Sequence, residues 1–238
     1  MNTVPSPVPT RPAALTMDLV ADYTCPWSFL GVRRIGRALS NLQGLVAAPD
    51  LRWHGFRLPR PDNAGAESAV WRFYLASRLS PEVTPEFAES SLADAGGPLG
   101  IAFNFAAIRS VPDTSQAHRL TLIAVRDGRQ AAVADGIFRA YFEQGRDIGD
   151  TGVLASIGLD AGMSEASIAA FADAGTEASA LALDERRLQA LGVNNVPNLL
   201  LNGRVLVPGA ADVDTYVLAL DQALFPAAGE PAARPLLN

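Results

Sequence analysis

Residues 15–31 read LTMDLVADYTCPWSFLG. Leu15, Met17, Leu19 and Ala21 alternate along this run, and Val20 puts an apolar residue on the other face, which predicts a buried β-strand over Leu15–Tyr23. The strand stops at Thr24-Cys25-Pro26. Proline suits the first turn of a helix, where its missing N–H has no intrahelical partner to lose. Phe29, Val32, Ile35 and Leu39 then recur at helical spacing, with Arg33, Arg34 and Arg37 between them. A strand thus hands over to a helix at the only cysteine of the chain.

Downstream, Leu51–Leu58 (LRWHGFRL) predicts a second short strand. Strand–helix–strand closes as a parallel pair with a right-handed crossover. From about Pro61 to Ala190 the pattern is helical, in pieces at Glu67–Arg78, Pro81–Ala95, Thr114–Arg126, Gln130–Glu143, Thr151–Gly158, Ser164–Ala172 and Thr176–Leu191. Strand character returns at Asn198–Leu201, then Asn202-Gly203, then Arg204–Val207. Asn-Gly between apolar runs signals a hairpin, because both residues must accept positive φ. Asp212–Leu224 closes the chain as an amphipathic helix.

The expected fold is therefore α/β: a thioredoxin layout with a large all-helical insertion between the βαβ unit and the C-terminal β-hairpin. Residues 15–60 and 192–225 make the thioredoxin-fold domain, and 61–191 the insertion with its connecting helix. By composition, 1–14 is a disordered arm and 226–238 a disordered tail. The two β halves meet across the insertion, so the cleft between insertion and sheet is the default binding site.

The 238 residues carry a net charge of −6, which argues against nucleic acid or an anionic membrane surface as partner. No stretch approaches the ~18 unbroken apolar residues of a membrane span. The Pro-rich N-terminus lacks the apolar core of a secretory signal, so a cytoplasmic protein is expected. One cysteine allows no internal disulfide. One cysteine and two scattered histidines lack metal-ligand spacing, so no metal is expected.

Cys25-Pro26-Trp27-Ser28 sits at the helix start, where free N–H groups and the positive dipole end favour an anion. A thiol there is expected to ionise below the free value, with the Ser28 hydroxyl bonding the sulfur. A lone cysteine is equally the mark of a structural core residue, and from this tetrapeptide both readings stand. Val196-Pro197, at the hairpin entrance, adds to the first reading. In this topology that loop faces the start of the first helix, and a cis bond would present the Val196 backbone to a substrate beside Cys25. His54, on a strand, reads as a structural residue. His118, on an insertion helix, is a candidate for the cleft wall.

Four segments, in order, resemble the DsbA-like thioredoxin-fold oxidoreductases of the branch typified by FrnE: Asp22–Gly31, Thr114–Leu120, Phe138–Ile148 and Gly192–Pro197. More distantly they resemble 2-hydroxychromene-2-carboxylate isomerases and kappa-class glutathione transferases. The resemblance implies a nucleophile at Cys25 and a cis-proline at Pro197. It also brings departures. The FrnE branch usually reads CPWC, whereas Ser28 stands in the second place here, so no internal disulfide can be stored. The isomerase and transferase relatives carry serine at both places, Asn where Asp113 stands, and Gly-Ser-Asp where Gly209-Ala210-Ala211 stands.

The implied activity is thiol–disulfide exchange or isomerisation by a monothiol CPWS enzyme. Its catalytic residues would be Cys25, Ser28 and Pro197, and its substrate-binding residues Pro26, Trp27, Asn195, Val196 and His118. No tightly bound cofactor is expected; glutathione enters as a co-substrate. The partners are protein or small-molecule thiols and disulfides, and a second copy of the chain in a homodimer. The alternatives are a glutathione-dependent isomerase or transferase acting on a small aromatic substrate, and a non-catalytic thioredoxin-like binding protein or holdase.

Overall fold

The structure, a computed structural model, describes residues 15–42, 49–60, 70–173 and 177–226. The expected arm, and the tail beyond residue 226, lie outside the described residues, as does the start of the helix expected from Glu67. The chain runs β1 (Thr16–Ala21), α1 (Pro26–Asn41) and β2 (Asp50–Gly55). The helices α2 (Val70–Ala76), α3 (Pro85–Gly96), α4 (Ser115–Ile123), α5 (Gln130–Phe142), α6 (Thr151–Asp160), α7 (Glu165–Ala172) and α8 (Glu177–Ala190) follow. It closes with β3 (Asn198–Leu201), β4 (Val205–Pro208) and α9 (Val213–Leu224).

The sheet order is β2-β1-β3-β4. β1 pairs parallel with β2 and antiparallel with β3, and β4 pairs antiparallel with β3. This is the thioredoxin layout expected from the element order. β1 is central and covered on both faces, so only Thr16 of its residues is not fully buried. Period-two alternation divides its side chains: Met17, Leu19 and Ala21 enter the main core, whereas Val20 packs with Phe56 and with Leu188 of α8.

The hairpin forms where Asn-Gly predicts it. Asn202 and Gly203 carry φ of 49° and 64°, and the Arg204 N–H closes on the Leu201 carbonyl at 2.9 Å. Asn202 also accepts from the Thr16 N–H through Oδ1 (2.8 Å) and donates from Nδ2 to the Ala223 carbonyl (2.9 Å), tying the hairpin to β1 and α9.

The second strand ends earlier than the apolar pattern suggests. After Gly55 the Leu58 N–H leaves the ladder and donates to the Asp22 carboxylate at 2.7 Å. Gly55 itself is required there: a Cβ would meet Leu181 at 2.6 Å and His118 at 2.7 Å. Helix starts follow side-chain caps. Thr84, Asp150, Ser164 and Asp212 each accept a backbone N–H in the first turn of α3, α6, α7 and α9.

The insertion shares its core with the sheet. Phe138 of α5 stacks on Phe29 of α1 at 5.1 Å and lies 4.8 Å from Tyr23 and 6.2 Å from Trp53 of β2. Phe103, Phe105 and Phe142 extend this aromatic layer to Trp71 of α2. Stacked and edge-on rings of this kind add to the burial term, so α2 is anchored firmly beside the start of α1.

Candidate functional site

Cys25 is the N-cap residue of α1, with extended backbone (φ −95°, ψ 111°) and Pro26 in the first turn. Gly31, one turn into α1, lets the helix approach the hairpin entrance, since a Cβ there would lie 3.1 Å from Pro197 Cγ. The Val196-Pro197 bond is cis. The Cys25 Sγ–H donates to the Val196 carbonyl at 3.7 Å, and the Pro197 carbonyl accepts from the Gly209 N–H at 2.8 Å. Two segments some 170 residues apart in sequence thus meet at one sulfur.

Ser28 is fully buried beneath Cys25. Its Oγ accepts weakly from the Asp22 N–H (3.5 Å), and its hydroxyl favours the thiolate of Cys25. Asp22, 1% exposed, accepts from Leu58 N–H, from Thr24 N–H (3.4 Å) and from Thr24 Oγ1–H (3.1 Å). Thr24 Oγ1 also shares a hydrogen bond with Tyr74 OH at 3.1 Å. Burial pushes the Tyr74 phenol up, and the Asp22 charge adds to that.

Here an expectation is corrected. Burial pushes the Cys25 thiol up to about 11; the Ser28 hydroxyl and the Ser28 and Trp27 N–H groups pull it down, and the Asp22 charge raises it further. The helix start does supply N–H donors to the sulfur. At 4% exposure, however, lost hydration of a thiolate outweighs them, and the nearby charge is the wrong sign. The resting sulfur is a neutral thiol.

Cys25 opens on a cavity of about 210 Å³ between the α1 start, the hairpin entrance and α2. Pro26, Trp27, Asn195 and Val196 line it, while Ser28 and Pro197 lie buried behind. The far wall is Trp71, Tyr74 and Leu75 of α2, with Leu58 and Arg78, none of which sequence reasoning assigned to the site. The signal was available in part: Trp71 and Tyr74 stand at helical spacing in the helix directly after the βαβ unit, and Arg78 follows four residues on, just past its end.

His118 is the second correction. It is 0% exposed and lies in the core, so it touches no substrate. Its Nδ1 accepts from Trp53 Nε1–H (3.4 Å), and its Nε2 stops 3.7 Å from Asp22 Oδ1. Its Ala-His-Arg-Leu segment packs against Tyr23 and the end of β2, not against the cavity. His54 is structural, held between Asp18 (2.9 Å) and Asp184 (2.7 Å). Asp113 accepts from the Ser115 N–H (2.8 Å) ahead of α4, and Asp212 caps α9 through the Thr215 N–H (2.7 Å). Among the described residues no group of three or more His, Cys, Asp or Glu is placed to hold a metal ion, and no helix is long and apolar enough to cross a membrane.

Sheet order, the cysteine at the first helix and the proline loop facing it define a thioredoxin-type thiol site. The chain belongs to the DSBA-like thioredoxin domain family, whose profile matches residues 16–221. Among solved structures it is similar to a probable DsbA oxidoreductase from Streptomyces coelicolor (24% identity, 91% of this chain and 93% of that one, TM-score 0.74). It is also similar to the cytosolic disulfide reductase DsbM from Pseudomonas aeruginosa, solved with GSH (23%, 88% and 98%, TM-score 0.59). A 2-hydroxychromene-2-carboxylate isomerase shares the fold as well (16%, 87% and 93%, TM-score 0.60).

Proposed function

We propose that this protein is a monothiol disulfide exchange enzyme that works through Cys25, in the direction that takes up one half of a substrate disulfide. The observation that carries the reading is the Cys25 sulfur, held against the Val196 carbonyl at 3.7 Å and open to a cavity of about 210 Å³.

The chemistry balances with one cysteine. Cys25 Sγ attacks one sulfur of R–S–S–R′, forming Cys25–S–S–R, and the departing R′S takes up the proton that Cys25 gives away. A second thiol, glutathione in this proposal, then attacks the mixed disulfide and releases R–S–S–glutathione with Cys25 restored as a thiol. Ser28 serves the first step by hydrogen-bonding the sulfur as it becomes anionic. The Val196 backbone aligns the incoming chain, and Pro197 supports it from behind.

The raised thiol sets the direction. A sulfur whose thiolate is destabilised is a poor leaving group, so the mixed disulfide at Cys25 is long-lived. A strong oxidant needs the opposite, a stabilised thiolate in the reduced form. At pH 7 a thiol near 11 is ionised in only about one molecule in ten thousand. The greater nucleophilicity of a more basic thiolate recovers roughly tenfold of that. The first step is therefore slow with free disulfides, and binding in the cavity must accelerate it.

Mass spectrometry after incubation with oxidised glutathione tests the reading. The expected product is one glutathione adduct on the native protein, absent in Cys25→Ser and persisting until an added thiol removes it. No adduct on the folded protein overturns the reading. The aromatic walls of the cavity favour a second reading, a glutathione-dependent isomerase or transferase for a small aromatic substrate. Turnover retained by Cys25→Ser would favour that one. The lack of any second cysteine to pair suits a reducing compartment, and a cytoplasmic location is proposed on that ground.

A further inference from the structure

We propose that the cavity at Cys25 selects compact anionic disulfides, with an apolar or aromatic body and a carboxylate, and that Arg78 is the residue that selects them. The inference rests on the exchange reading of Cys25.

Size comes first. At about 210 Å³ the cavity is smaller than the roughly 300–1,000 Å³ of pockets for drug-sized ligands, so one compact half of a disulfide fills it. Trp27, Leu58, Trp71 and Leu75 give it a broad apolar wall, with Asn194 and Asn195 on the hairpin-entrance side. Such a wall favours an aliphatic or aromatic body over a polar one.

Charge then gives the orientation. At the floor the hydroxyl protons are already committed, and the buried Trp71 Nε1–H, which has no partner, is a neutral donor only. The Asp22 carboxylate only accepts, so the single Thr24 hydroxyl proton is committed to it at 3.1 Å. In the Thr24–Tyr74 bond Tyr74 must then donate, and its oxygen keeps only lone pairs to offer elsewhere. The Val196 carbonyl is likewise an acceptor. The buried Asp22 charge opposes negative charge at this depth, as its effect on both Cys25 and Tyr74 attests.

The rim is different. Arg78 is exposed, its guanidinium lies 5.3 Å from the Tyr74 ring centroid, and it donates to the Pro59 carbonyl. Those two contacts hold a cation at the mouth. A guanidinium carries five N–H donors in a fork that matches a carboxylate, and the Pro59 bond uses one terminal nitrogen. A substrate with its sulfur at Cys25 and its carboxylate at the rim satisfies both ends. The net charge of −6 repels anions at long range, so the preference must come from this local cation.

The test compares rates of mixed-disulfide formation on the full chain with three probes. Dithiobis(nitrobenzoate) is a dianionic aromatic disulfide, dithiodipyridine a neutral one and cystamine a dication. The ratio of the anionic to the neutral rate cancels any change in the nucleophilicity of Cys25. Arg78→Gln is expected to lower that ratio about threefold, the size of an exposed ion pair, and Arg78→Glu about tenfold, with cystamine gaining. Added salt should shrink the preference of the parent. A ratio unchanged in both variants overturns the selection by Arg78 while leaving exchange at Cys25 intact. If dithiodipyridine also fails to react with the folded parent, the exchange reading itself falls, and this inference with it.

Discussion

His54, half-buried, and Cys25, buried, both lie beside β1, both have a carboxylate from the same stretch of chain for a neighbour, and both titrate upward. One ends charged and the other neutral. For His54, burial works against the imidazolium, but the hydrogen bonds it donates to Asp18 and Asp184, with their charges, outweigh it and carry the group up to about 9. For Cys25, burial works against the thiolate, and the Asp22 charge acts with it, not against it. The comparison teaches that a carboxylate has no fixed meaning in a site. Beside a base it completes an ion pair, whereas beside an acid it keeps the proton in place.

The largest effect should come from breaking the ion pair. His54→Ala leaves Asp18 buried without its partner, and a loss of about 3 kcal/mol is expected in chemical denaturation near pH 6. The pH dependence adds a second signature. A folded value of about 9 against an ordinary 6.5 means that the stabilisation is fully present below 6.5 and lost as the pH rises through 9. The parent should therefore lose stability over that window, and His54→Ala should be flatter there. Equal slopes for the two proteins would contradict the assignment.

A smaller effect is expected at the other group. Ser28→Ala removes the hydrogen bond that most lowers the Cys25 thiol, so alkylation of native Cys25 at fixed pH should slow by about tenfold, roughly one pKa unit. An unchanged rate would show that the Ser28 hydroxyl points elsewhere. Smallest of all, Asp22→Asn removes a charge whose contribution ranks below that of Ser28, and alkylation should quicken by about threefold. A slower reaction after that change would reverse the sign given to Asp22.

Much of this molecule was legible in the sequence. The strand–helix handover at Cys25, the Asn202-Gly203 turn and the apolar spacing of α1 are local signals, and local physics decided them. The meeting of Cys25 with Val196-Pro197 followed from topology, because the element order leaves one place for the hairpin entrance. Burial was harder to read. Nothing in Thr24-Cys25-Pro26 shows that Trp71 and Tyr74, more than forty residues on, wall in the cavity beside the sulfur. The favourable helix end was visible and the larger opposing effect was not, so the thiol was expected to titrate low. His118 went astray for a related reason. Its position on an insertion helix placed it near the sheet, but no residue of that helix lines the cavity, and His118 packs into the core against Tyr23. Asp22 stood in plain view at the end of an apolar strand; its role depends on the Leu58 N–H, which no periodicity reveals.

The most direct test of the central claim is the pH–rate profile for alkylation of Cys25 in the native protein, with Cys25→Ser as the blank. A neutral, buried thiol titrating near 11 predicts a rate still climbing about tenfold per unit at around pH 10, well beyond the roughly 8.5 of a free cysteine. A plateau reached at or below the free-cysteine value would contradict it, and would make Cys25 an activated thiolate.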